Sequence, residues 1–301
     1  MLKRRILLLF SLFLLWGCAA EEPAAPEIAA TAAPTVAATE QAQEESTEAP
    51  MADAIIDYTH QEEGYVSVRY GRPTEKRLKA RVIGPTTTYT YNLPVDEWAV
   101  FPLSDGNGTY TVAIYINTHD TKYAAVLSEQ FEVRLKDEFA PFLRPNQYVD
   151  YSKAPATIAK AAELCAGLTD PLEKVAAVYD FVVDFLAYDQ QRAETVQSGY
   201  LPVLDQVLAE GKGICFDYAS LMTAMLRTQE VPCKLVVGYA GDIYHAWISV
   251  WTESHGWVDG AIFFDGQSWK RMDPTFASHS TRSAEIMEFI ENGQYTVKYI
   301  Y

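Results

Sequence analysis

The sequence predicts an α+β protein with two folded parts: an antiparallel β-sandwich, then a core with helices first and strands after. Between about residues 54 and 135, apolar and polar residues alternate with period two, rich in Tyr, Val, Thr and Ile. From about residue 156 the apolar spacing becomes helical, and beyond Pro232 it returns to strands. Helices followed by strands is an α+β order, unlike the strict alternation of a doubly wound sheet. The 301 residues, 49% hydrophobic, suffice for two cores.

The elements follow in order. Lys3, Arg4 and Arg5 precede an apolar run over residues 6–16. That run is shorter than the about 20 residues a membrane span needs and has the form of a signal-peptide h-region. Residues 1–18 are read as the leader, and residues 19–50, almost all Ala, Glu, Pro and Thr, as a disordered tether. Residues 51–138 form the sandwich, with strands at 64–70, 76–82, 86–91, 109–117, 123–127 and 131–135. The strongest of these, 109–117, is entered through the turn Asp105-Gly106-Asn107-Gly108. About seven short strands with frequent turns suggest an immunoglobulin-like shape. A packing or spacer role is its plainest reading, since a fold alone carries no function.

Residues 139–301 form the second part, reached through a Pro-containing connector at 136–145. Helices are expected at 156–168, 172–186 and 202–209. Asp170-Pro171 opens the second as N-cap and first helical position, with Val175, Val178, Tyr179, Val182, Phe185 and Leu186 on its apolar stripe. Strands are expected at 234–239, 245–251, 256–258 and 268–272.

Charge excludes some functions. Lys+Arg number 24 and Asp+Glu 40, a net charge of −16. Three of the positive charges fall in the leader and seven Glu in the tether, which leaves −12 from Met51 onward. Such a surface does not bind nucleic acid, which needs clustered Lys/Arg, and an anionic membrane surface repels it. Basic or amine-bearing partners remain open. No His/Cys pair has metal-ligand spacing, so no metal and no cofactor are expected.

Three short motifs carry chemistry. In Gly211-Lys212-Gly213-Ile214-Cys215-Phe216-Asp217-Tyr218-Ala219-Ser220-Leu221, a glycine segment runs into a helix whose stripe is Ala219, Leu221, Met222, Met225 and Leu226. Cys215 therefore sits at or just before a helix N-terminus, where unpaired N–H groups and the macrodipole favour a thiolate. The bland alternative is a small buried hydrophobe. Tyr244-His245-Ala246-Trp247 opens a strand 30 residues on, and Arg271-Met272-Asp273-Pro274-Thr275 ends another. A cysteine nucleophile needs a base and a residue that orients the base, and His245 and Asp273 can serve. Singly, His245 could be a core residue and Asp273 a turn starter. Asp217 is a cap for the helix. Cys165 and Cys233 read as buried hydrophobes, with a Cys165–Cys233 disulfide left open.

Two resemblances follow from these residues. Leu15-Trp16-Gly17-Cys18 resembles the lipobox of bacterial lipoproteins, with Trp16 where a small residue is usual. It implies a lipid on Cys18 and an extracytoplasmic, membrane-anchored protein; the alternatives are a secretory signal cleaved near Ala19 or Ala20, or an uncleaved anchor. Residues 172–276 resemble the transglutaminase-like superfamily of papain-type cysteine enzymes. The match runs through Gly213, Cys215, Ala219 and Leu221, then Leu226-Arg227, Val231-Pro232, Val237-Gly238-Tyr239, His245-Ala246-Trp247, Gly256-Trp257 and Asp273-Pro274-Thr275. It implies a cysteine-proteinase core in which Cys215 is the nucleophile, His245 the base and Asp273 its orienting residue. The implied reaction attacks a peptide or carboxamide carbonyl to give a thioester, resolved by water or by an amine. The implied partner is a protein or peptide, with cell-wall peptide suggested by location. Beyond the Cys215 backbone, Tyr200, Gln206, Tyr218 and Trp247 are candidates for oxyanion or substrate contacts. The rival reading is a catalytically inactive binding or scaffold lipoprotein of the cell envelope.

Overall fold

The structure, a computed structural model, describes residues 53–241, 243–253, 256–259, 263–264, 269–270 and 295–301. The expected leader with Cys18, the tether and Asp273 lie outside the described residues.

The N-terminal part is built of strands: β1 (Ala54–Asp57), β2 (Tyr65–Tyr70), β3 (Leu78–Ile83), β4 (Thr88–Leu93), β5 (Ala99–Pro102), β6 (Gly108–His119) and β7 (Lys122–Val133). They make two antiparallel sheets, one in the order β1-β2-β5 and one in the order β4-β3-β6-β7. Alternation places Val66, Val68 and Tyr70 of β2 and Leu78, Ala80 and Val82 of β3 inside. Buried residues of both sheets meet in one core, where Tyr91 of β4 stacks on Phe101 of β5 with ring centroids 4.5 Å apart.

One expectation is corrected here. The strands expected at 123–127 and 131–135 are a single strand, β7. Its register slips between Ile114↔Leu127 and Tyr115↔Ala125, so Val126 is an extra, half-exposed residue of a β-bulge. Ser128, Glu129 and Gln130, which resemble a turn, pair with Ala113, Val112 and Thr111. Polar residues are tolerated there because β7 is an edge strand.

The C-terminal part begins with α1 (Pro155–Leu164), α2 (Pro171–Phe185), β8 (Ala187–Tyr188), α3 (Gln190–Thr195), α4 (Leu204–Glu210), β9 (Lys212–Gly213) and α5 (Cys215–Thr228). It continues with β10 (Cys233–Ala240), β11 (Ile243–Thr252), β12 (Gly256–Asp259), β13 (Phe263–Phe264), β14 (Trp269–Lys270) and β15 (Tyr295–Ile300). An antiparallel sheet in the order β12-β11-β10-β15 packs against α5. Asp170 caps α2 by accepting the Leu172 N–H at 2.9 Å. Phe185 leaves the expected stripe. The chain turns extended at Leu186, which is buried in its place, and Phe185 is exposed and stacks on Phe181 at 4.9 Å.

Helix α5 is central. From Cys215 to Arg227 every residue but Phe216 is buried, against α1, α2, α4, β10 and β11. Its far end is fastened by Arg227, whose guanidinium donates to the carbonyls of Cys233 (2.8 Å), Arg144 (2.6 Å) and Tyr301 (2.7 Å). Burial pulls Arg227 down to about 10, so it stays charged at neutral pH. Tyr301 also meets Tyr89 and Tyr91 of the N-terminal sheets edge-on and lies 4.4 Å from Tyr148. Tyr148 lies 5.7 Å from Phe216. The N-terminal sheets and α5 thus share one core.

Gly238 shows how tight the sheet is. A Cβ there would lie 2.0 Å from the Thr296 carbonyl oxygen and 2.9 Å from Trp247 Cη2. Only glycine lets β10 keep both β15 and Trp247 this close. Cys165, Cys215 and Cys233 are thiols, so the Cys165–Cys233 disulfide is absent. Instead, Cys233 Sγ faces Thr223 Oγ1 at 3.6 Å.

Candidate active site

Cys215 is the first residue of α5, and the preceding Ile214 is its extended N-cap (φ −94°, ψ 176°). This is the placement expected from the glycine segment. His245 lies on β11, opposite Gly238 of β10, and β11 packs against α5. Both side chains are buried, Cys215 at 5% and His245 at 4% exposure. Trp247 is two residues along the strand from His245, which puts both rings on one face; their planes lie within 18° with centroids 6.3 Å apart.

The approach to Cys215 is held by a polar cluster. Asp217, the third helical residue, accepts the Ile214 N–H through Oδ2 at 2.8 Å, the carboxylate half of a capping box. Its Oδ1 accepts the Tyr200 hydroxyl at 2.6 Å, and Arg192 Nη1 lies 3.5 Å from Oδ2. Arg192 is also paired with Glu210 at 2.7 Å, while Lys212 lies 3.3 Å from Asp189. Burial raises the Asp217 carboxyl above the usual carboxylate range, and the Tyr200, Ile214 and Arg192 donors pull it back. Gly213 has no room for a side chain: a Cβ there would lie 2.5 Å from Asp217 Cβ. The short parallel pair of β8 and β9 completes the clamp, with the Ala187 and Asp189 N–H groups donating to the Gly211 and Gly213 carbonyls at 2.9 Å.

The other expected contact residues are placed as follows. Tyr200 joins the cluster through Asp217. The Tyr218 hydroxyl is buried and donates to the Leu186 carbonyl at 2.7 Å. Gln206 is on the outer side of α4, bonded to Glu210 four residues on. Sequence reasoning missed Arg192, and no motif announces it. A signal for Asp217 existed in its N3 position, but it indicated a cap and nothing of the burial.

The two remaining thiols differ from an activated cysteine. Burial pushes Cys233 up to about 12 and raises Cys165 as well. Both are then thiols, not thiolates, at neutral pH.

Residues 158–274 match the transglutaminase-like superfamily. This segment is a transglutaminase-like domain. The transglutaminase-like domain contains Cys215, His245 and Asp273. Cytokinesis protein 3 of Schizosaccharomyces pombe is 30% identical over 129 residues, which are 42% of this chain and 13% of that protein. The chain thus spans a small part of that relative's length. Among solved structures, a candidate cysteine protease of Cytophaga hutchinsonii is 16% identical, with 70% of this chain and 71% of that one covered and a TM-score of 0.36. Red sea bream transglutaminase is 14% identical, with 78% and 57% covered and a TM-score of 0.30.

Proposed function

We propose that the chain is a membrane-anchored, extracytoplasmic cysteine enzyme that acts on peptide or carboxamide bonds through a thioester on Cys215. The observation that carries this reading is the nucleophile-type cysteine at the first position of α5, with His245 on the strand packed against that helix. Asp273, outside the described residues, completes the set as the residue that orients His245.

The chemistry runs in two halves. His245 takes the Cys215 proton, and the thiolate attacks the carbonyl carbon. The first-turn N–H groups of α5 support the oxyanion. The amide nitrogen leaves with the proton from His245, and a thioester remains. Water or an amine then loses a proton to His245 and attacks the thioester, restoring the thiol. Which acceptor prevails depends on how well water is excluded over the thioester. The lipid on Cys18 places this reaction at the membrane, and the N-terminal sheets serve as an immunoglobulin-like sandwich packed on the catalytic core.

The test offers a dansylated amine with a glutamine-rich protein, and follows label incorporation together with ammonia and peptide release. Incorporation shows acyl transfer and release without incorporation shows hydrolysis. Neither, over a range of protein acyl donors, supports the inactive scaffold. Cys18→Ser is expected to release the protein into the medium, and continued membrane retention refutes the anchor.

A further inference from the structure

Among the described residues Asp217 is the one carboxylate buried from solvent, at 0% exposure. An acid at the third position of a helix caps the N-terminus equally well while exposed, so capping alone leaves the burial unexplained. The side chain is also shared by several segments. It takes the Ile214 N–H from the residue before Cys215, the Tyr200 hydroxyl from the segment before α4, and Arg192 from α3. Gly213, two residues before Cys215, is pressed against its Cβ. Tyr200 in turn lies 6.5 Å, ring to ring, from Phe216, the residue after Cys215. Residues on both sides of the cysteine are therefore located by this one carboxylate and its donors.

We propose that Asp217 is a positioning residue for Cys215, with Tyr200 and Arg192 acting through it to fix the first turn of α5 on which the thiol is carried. The inference rests on the catalytic reading of Cys215. Its two carboxylate oxygens serve different donors, Oδ1 the phenol and Oδ2 the amide and Arg192. An asparagine offers only one acceptor oxygen and presents an NH₂ where a donor already points. Arg192, itself held by Glu210, keeps the buried charge compensated.

The sign of the effect separates this role from its rivals. If the Asp217 charge acted only by Coulomb repulsion on the Cys215 thiolate, its removal would stabilise the thiolate and speed alkylation. If Asp217 served only the fold, Asp217→Asn would lower the melting temperature and leave the Cys215 rate alone. Loss of positioning slows it. The experiment measures iodoacetamide alkylation of Cys215 at neutral pH by peptide mapping, in the full chain. It compares wild type with Asp217→Asn and with Tyr200→Phe, which keeps the ring beside Phe216 and removes only the hydroxyl. Both are expected to slow Cys215 by at least about tenfold, Tyr200→Phe with little change in melting temperature. Variant rates equal to or above a fast wild-type rate overturn the proposal alone. A wild-type Cys215 that reacts no faster than a peptide thiol overturns the catalytic reading and this one with it.

Discussion

Cys215→Ala is expected to lower turnover on any accepted substrate by on the order of a million-fold, down to what binding and oxyanion contacts supply alone. The alanine has no nucleophile, so no thioester forms and both halves of the reaction stop. His245→Ala is expected to cost nearly as much, and the double variant hardly more, because a nucleophile without its base and a base without its nucleophile are equally idle. Asp273→Asn is expected to cost about 10⁴-fold by letting the imidazole take the wrong tautomer. Packing gives no reason for these losses to be unfolding: Cys215→Ala removes one sulfur from the end of a helix that stays buried from Asp217 to Arg227. Residual activity within tenfold of wild type in Cys215→Ala would refute the nucleophile assignment.

Arg227→Met is expected to have the largest effect on stability. Methionine fills much of the space but gives no donor, so the carbonyls of Cys233 and Arg144 lose the guanidinium and Tyr301 keeps only the Leu235 N–H. A buried polar group left without its partner costs about 1–3 kcal/mol. Relief of the cost of burying a guanidinium offsets part of this, which leaves about 3 kcal/mol of net loss. The thermal midpoint should fall by about 6–12 °C. Arg227→Lys should recover only part of it, since a single ammonium does not reproduce a planar fork reaching three segments. A midpoint for Arg227→Met within about 2 °C of wild type would show that the three carbonyls find other donors.

These two residues show what a sequence discloses and what it hides. The position of Cys215 follows from local rules: glycines before it, an apolar stripe after it, and helix chemistry that places it at the first turn. Asp170 and Pro171 are legible on the same grounds, and the structure puts the helix start where they indicate. Arg227 follows Leu226 in the sequence and carries no local sign of burial. Its environment is made by carbonyls 83 and 74 residues away, and no pattern of neighbouring residues encodes them. Asp217 is similar, a cap by its local position and a buried junction only because Tyr200 and Arg192 arrive from elsewhere. Val126 misleads in the opposite way. One bulged residue breaks the alternation and makes a continuous edge strand look like two. Strand β5, four residues ending in Pro102, is too short for periodicity to show.

The N-terminal sheets also take on a different weight. As a sequence they read as a packing or spacer module. In the fold, Tyr89 and Tyr91 pack on Tyr301, and Tyr148 bridges Tyr301 to Phe216 beside the cysteine. The packing role is thus specific to α5.

The central claim is that Cys215 is an activated nucleophile, and the most direct measurement is competitive alkylation of the three thiols in the native protein near neutral pH. Limiting iodoacetamide followed by peptide mapping reports Cys165, Cys215 and Cys233 in one experiment. The account predicts that Cys215 takes nearly all the label, faster than a peptide thiol, and that His245→Ala abolishes the advantage. Cys165 and Cys233, raised by burial, should label only on unfolding. Equal labelling of the three, or a Cys215 rate indifferent to His245→Ala, would contradict it.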